Sequence, residues 1–116
     1  MVGENPCLNM SNISIASDYS VYPVGRFPED SEFNGEQFRE KYLVPALQTE
    51  PRVVVNIDGT EGYGSSFLEE AFGGLVRKGY FTAKELLTKL VIEYRDPDFG
   101  LFEKLIWKHI KAARRE

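Results

Sequence analysis

The sequence predicts an α/β fold, a mixed central sheet of about four to five strands with helices packed against it. Two observations carry this. Short β-branched runs are separated by capped amphipathic stretches, in the order strand, second strand, helix, strand, helix, short helix, strand, helix. Helices between the later strands imply parallel pairing through right-handed crossovers, while the first two strands are close enough for a hairpin.

The elements follow in order. Residues 1–9 read as a flexible leader, with Cys7 an incidental thiol, and residues 10–116 as one domain. Asn12 to Ala16 alternates, with Ile13 and Ile15 on one face, and reads as a first strand. Val21, Tyr22 and Val24 suggest a second, paired across Ser17-Asp18 and confined to a sheet edge by Pro23 and Gly25. Asn34 is an N-cap with Gln37 three residues on, and Phe33 and Phe38 occupy the hydrophobic-staple positions. Phe38, Tyr42, Leu43 and Leu47 give that helix its apolar face. Pro45 should bend or end it, having no N–H and clashing with the preceding turn.

Arg52 to Val76 organises the rest. Val53 to Ile57 is a β-branched run of the kind covered on both faces of a sheet. Gly59, Gly62 and Gly64 then permit positive φ and close backbone approach. Ser66 reads as an N-cap, with Glu69 completing a capping box, ahead of an apolar face of Leu68, Ala71, Phe72, Leu75 and Val76. Gly73-Gly74 costs such a helix up to roughly 1 kcal/mol per residue against alanine, which suggests a close packing partner. Arg77 and Lys78 complement the helix dipole, and Gly79 is a natural C′ residue. Thr82 and Glu85 form another capping box, Leu90 to Tyr94 a strand, and Asp96-Pro97 a helix start. The last helix buries Phe102, Leu105, Ile106 and Ile110, with Trp107 on its flank.

Bulk properties exclude several function classes. A net charge of −4 disfavours non-specific binding to nucleic acid or anionic membrane. The single cysteine allows no internal disulfide, no apolar run approaches a membrane span, and a cytoplasmic location is expected. One Cys and one His supply no metal-ligand cluster. Gly59 and Gly64 have phosphate-loop spacing, yet the lysine is missing and Glu61 sits where polyphosphate would lie. Ser65 and Ser66 sit on a strand-to-helix turn, but Phe67 and Leu68 stand where a nucleophile elbow needs glycine. The lone His109 is a partly exposed surface residue on this pattern, and Lys108, Lys111, Arg114 and Arg115 read as dipole complement and solvated face. Ser66 is accounted for by capping. Ser65, one residue outside, is free to present its hydroxyl beside a helix N-terminus.

The chain resembles the STAS fold of anti-sigma-factor antagonists. Asn56 to Leu68 aligns without a gap onto the antagonist run Asp-Leu-Ser-Gly-Val-x-x-x-Asp-Ser-Ser/Thr-Gly-Leu. Ser65 falls on the phosphorylated serine and Ser66 on the hydroxyl residue after it, while Gly64 replaces the acidic residue and Phe67 the glycine. More closely still it is similar to STAS-like proteins of the DUF4325 family, in Gly25-Arg26, Gly35 to Arg39 and Ser65 to Gly73. The resemblance implies a small, non-enzymatic STAS-like module that binds a regulatory protein, of the GHKL histidine-kinase-like ATPase type, and needs no cofactor. It puts a switch or phosphorylation site at Ser65 and Ser66. The partner-binding loop would comprise Asp58, Gly59, Glu61, Gly62, Tyr63, Gly64, Phe67 and Glu70. Two alternatives stay open: an enzyme or small-anion binder using the same helix N-terminus, and a structural or oligomerisation module.

Overall fold

The structure is a computed structural model that describes residues 10–116; the leader read at residues 1–9, Cys7 included, lies outside the described residues. Three strands, β1 (Met10–Ser14), β2 (Arg52–Asn56) and β3 (Leu90–Glu93), form one sheet in the order β1-β2-β3. Both pairings are parallel, with Ile13 opposite Val55 and Val55 opposite Ile92. Four helices connect or follow them: α1 (residues 35–49), α2 (residues 65–77), α3 (Ala83–Lys89) and α4 (Gly100–Ala112).

The expected sheet was mixed and had four to five strands; the described residues form three, all parallel. The missing hairpin has a local cause. Ser14 Oγ accepts from the Ser17 N–H, and Asp18 Oδ2 accepts from the Ser14 N–H. These polar side chains wind Ile15–Tyr19 into a single π turn in place of a strand. Val21 and Pro23 then give their carbonyls to the N–H groups of Glu61 and Gly64, so the segment lies along the glycine-rich loop.

One face of the sheet carries the core. Ile13, Val53, Val55, Leu90 and Ile92 pack with Phe38, Leu43 and Leu47 of α1, Phe67, Leu68, Phe72 and Leu75 of α2, and Ile106 and Ile110 of α4. The other face is only partly covered: Val54 is buried, Val91 half-buried, and Asn12 and Glu93 exposed. Val53, Val54, Val55 and Ile57 are all buried, as expected of a run covered on both faces, although Asn12 and Glu93 on the flanking strands stay exposed. No helix among the described residues is long and apolar enough to cross a membrane.

Several local signals are met. Asn34 Oδ1 accepts from the Gln37 N–H at 2.9 Å and caps α1. The Phe33 ring reaches Phe38 through Tyr19, which contacts both. Thr82 and Glu85 make both bonds of the capping box on α3. Asp96 caps the 3₁₀ turn Pro97–Phe99 that leads into α4, and Gly79 has φ +81°.

Pro45 does not end α1, which runs on to Thr49. Instead the register loosens just before it, in a π turn over Arg39–Leu43 with the Val44 N–H bonded to Arg39 O. Such a widened turn accommodates a residue that has no N–H and crowds the carbonyl four back. α2 contains a matching π turn over Glu69–Gly73, and the two turns lie against each other.

Candidate functional site

The π turns bring charged residues into the interior. Arg39 opens the first and Glu69-Glu70 open the second. Arg39 Nη1 donates to Glu70 Oε2 at 2.7 Å and to the Glu70 carbonyl at 2.6 Å. Glu70 Oε1 accepts from Arg26 Nη1 at 3.1 Å and Arg77 Nη2 at 3.0 Å, while Glu69 also pairs with Arg26 and Arg77. Arg39 Nε reaches Glu40, whose other oxygen accepts from the Tyr80 hydroxyl. Three guanidinium groups thus face three carboxylates, and a buried charge paired and hydrogen-bonded in this way avoids the cost of an isolated one.

Backbone closeness makes room for the network. A Cβ at Gly35 would stand 2.7 Å from Phe67 O, and one at Gly74 would collide with Arg39 Nη1. The close partner expected of Gly73-Gly74 is therefore the Arg39 guanidinium, with Glu69 and the His109 carbonyl over Gly73. Gly25-Arg26, Gly35 to Arg39 and Ser65 to Gly73, which carry the family resemblance, meet at this helix crossing. Glu70 does not face a partner: it is 2% exposed and held by three arginines. Phe67 is fully buried against Tyr19, Phe38 and Tyr63. Both belong to the interior, because α2 starts two residues earlier than expected and turns its apolar face inward from Phe67.

That start corrects the reading of Ser66. Gly64 is the N-cap, α2 begins at Ser65, and no side chain caps it. Glu69, the expected capping-box partner, is drawn off to Arg26 and Arg77. Ser65 is exposed and Ser66 half-buried.

The loop before them is fixed at several points. Asn56 Oδ1 accepts from the Asp58 N–H, and Asp58 accepts from the N–H groups of Arg95 at 2.7 Å and Asp96 at 3.2 Å. Gly59 and Gly62 take φ +90° and +118°, whereas Gly64 sits at −71° and needs no special freedom. Tyr63 turns inward, donating to the Ile57 carbonyl at 2.7 Å and packing its ring on Phe99 and Phe102. Burial pushes its phenol well above the usual range. Gly59 and Glu61 stay exposed.

The strap from Val21 to Val24 is a feature sequence reasoning missed. It crosses the loop with Gly64 bonded to Pro23, and leaves Val21 41%, Tyr22 61% and Val24 45% exposed. Its alternating pattern signalled a strand; the same pattern without a sheet partner leaves apolar side chains in solvent. Ser65 therefore stands beside an exposed apolar patch, a feature that commonly marks an interaction site. Among the described residues no His, Asp or Glu side chain hydrogen-bonds to the hydroxyl of Ser65 or Ser66. His109 lies on α4, its Nε2 buried without a partner and its pKa lowered by burial. Among the described residues no group of three or more His, Cys, Asp or Glu side chains could hold a metal ion.

No curated protein and no solved structure matches this chain. The family model of a STAS-like domain of unknown function, DUF4325, matches residues 34–98, from the cap of α1 to the turn before α4. With more than half of its length matched, this chain belongs to the DUF4325 family of STAS-like domains.

Proposed function

We propose that the chain is a regulatory binding module that acts through a protein partner, of the GHKL histidine-kinase-like ATPase type, in the cytoplasm. The partner surface is the outer side of the Gly59–Ser66 loop with the Val21–Val24 strap, and Ser65 lies at its centre. One observation carries the proposal: Ser65 is exposed at the uncapped first turn of α2, adjoining a strap with Tyr22 61% exposed. A hydroxyl at that position can gain about two negative charges without harm to the helix, because the N-terminal dipole favours them. Two of the nearby acids are already occupied, Glu69 by two arginines and Asp58 by two backbone N–H groups, while Glu61 stays exposed. The same charge would oppose an apolar or acidic partner docked on the strap.

The test is capture of a purified GHKL-type ATPase, by calorimetry, with phosphate and ATP titrated alone as controls. The expected outcome is a complex that Ser65→Glu weakens at least tenfold, with the thermal midpoint unchanged. Equal capture by Ser65→Glu, or heat from phosphate alone and none from the ATPase, would overturn the proposal.

A further inference from the structure

α3 and α4 leave an open groove of about 520 Å³, lined by Leu87, Glu103, Lys104, Trp107, Lys108 and Lys111. Leu87 is 59% exposed although it projects from a helix whose Leu86 is fully buried. Lys104, Lys108 and Lys111 follow one stripe of α4 at helical spacing, spanning about 10 Å. Among the described residues none of the three takes part in an ion pair. The lining therefore sets three free ammonium groups against one carboxylate, on a chain whose net charge is −4.

We propose that this groove docks an acidic amphipathic segment of a partner protein. An apolar side chain would enter against Leu87 and Trp107, and carboxylates spaced along the segment would meet Lys104, Lys108 and Lys111. Charge complementarity selects this occupant. The three cations are spaced as carboxylates on one face of a helix would be. An amphipathic helix binds by laying its apolar face into a hydrophobic groove. The chain's negative charge works against any large anionic surface such as a membrane. The groove shares no residue with the Ser65 surface and stands independently of it.

Trp107 is the only tryptophan, so its emission reports on the groove. The probe is a short synthetic amphipathic peptide with leucines at helical spacing flanked by glutamates. Two further peptides exchange the glutamates for lysine or the leucines for serine. The glutamate peptide should shift Trp107 emission saturably, and either exchange should remove the shift. Lys108→Glu and Leu87→Ser should each weaken binding at least tenfold while melting as wild type, since both side chains are exposed. An absent shift, an equal shift with the lysine or serine peptide, or variants that bind as wild type would overturn the proposal. So would uptake by phosphatidylserine vesicles, or self-association in sedimentation that blocks the glutamate peptide.

Discussion

The guanidinium of Arg39 lies over Gly74 on one side and grips Glu70 on the other, with Arg39 1% and Glu70 2% exposed. Alanine at a helical glycine ordinarily stabilises by up to about 1 kcal/mol. Here the sign should reverse. Gly74→Ala should cost about 1–3 kcal/mol, because the added methyl displaces the guanidinium from Glu70. Arg39→Ala alone should cost more, about 3–5 kcal/mol, by leaving Glu70 short of a partner. In that background Gly74→Ala should cost little. Denaturant unfolding of wild type and the three variants gives the coupling; additive costs would show that Gly74 does not act through Arg39.

The same network sets the acid limit. Burial acts to raise the Glu69 carboxyl, but hydrogen bonds from Arg77 and Arg26 outweigh it and hold the group below its ordinary 4.5. Glu40 behaves alike, through Tyr80 and Arg39. A carboxyl lowered in the folded state gives stability that is present above the unfolded value and lost as pH falls through the folded one. His109, lowered from 6.5 chiefly by burial, adds an earlier loss, because the unfolded chain takes up its proton first. The thermal midpoint should therefore be level from neutrality up to the approach to 10, where the raised tyrosine phenols begin to cost stability. It should decline gently below 6.5 and steeply below 4.5. His109→Leu should remove the first decline and leave the second. A decline between pH 5 and 6.5 that survives in His109→Leu would assign it elsewhere.

Legibility in the sequence followed the range of the interactions. The caps at Asn34 and Thr82 were readable because donor and acceptor lie three residues apart. Ser66 with Glu69 has the same spacing, but Arg26, from 43 residues away, takes the carboxylate. Glu70 was read as part of a surface loop because its three arginines are brought together only by the helix crossing. The strand pattern at Val21 to Val24 was real, but its hydrogen-bond partners are the loop N–H groups of Glu61 and Gly64. Parallel order was legible, since helices between strands leave little else; strand number was not.

The loop glycines should differ in their tolerance of a side chain. Gly62 has φ +118°, and a Cβ there would meet only Phe102 at 3.9 Å, so the cost of alanine is backbone strain, about 1–3 kcal/mol. Gly64 has an ordinary φ and a nearest neighbour at 3.7 Å, so Gly64→Ala should stay within about 0.5 kcal/mol of wild type. Equal unfolding midpoints for the two variants would contradict the loop geometry.

Ser66→Ala tests where α2 begins. A lost N-cap costs about 0.5–2 kcal/mol, whereas a serine inside the first turn with no capping bond costs little. With Gly64 as the cap, Ser65→Ala and Ser66→Ala should both melt within about 0.5 kcal/mol of wild type. A loss above about 1 kcal/mol confined to Ser66→Ala would restore it as the cap.

The strap gives the last prediction, and it separates an interface from a tether. Tyr22 is 61% exposed, and only its backbone N–H, bonded to Ser20 Oγ, takes part in a local hydrogen bond. The strap is instead held by the carbonyls of Val21 and Pro23, which any substitution at Tyr22 leaves in place. Tyr22→Ser should therefore leave the thermal midpoint near wild type, within about 0.5 kcal/mol. An exposed aromatic on the strap would nevertheless be an anchor for a docked protein, and truncation of such an anchor commonly costs about 2 kcal/mol or more of binding. Capture of the GHKL-type ATPase by Tyr22→Ser should then weaken at least tenfold, as with Ser65→Glu. If Tyr22→Ser binds as wild type while Ser65→Glu does not, the strap only braces the loop, and the interface lies on the Ser65 side alone.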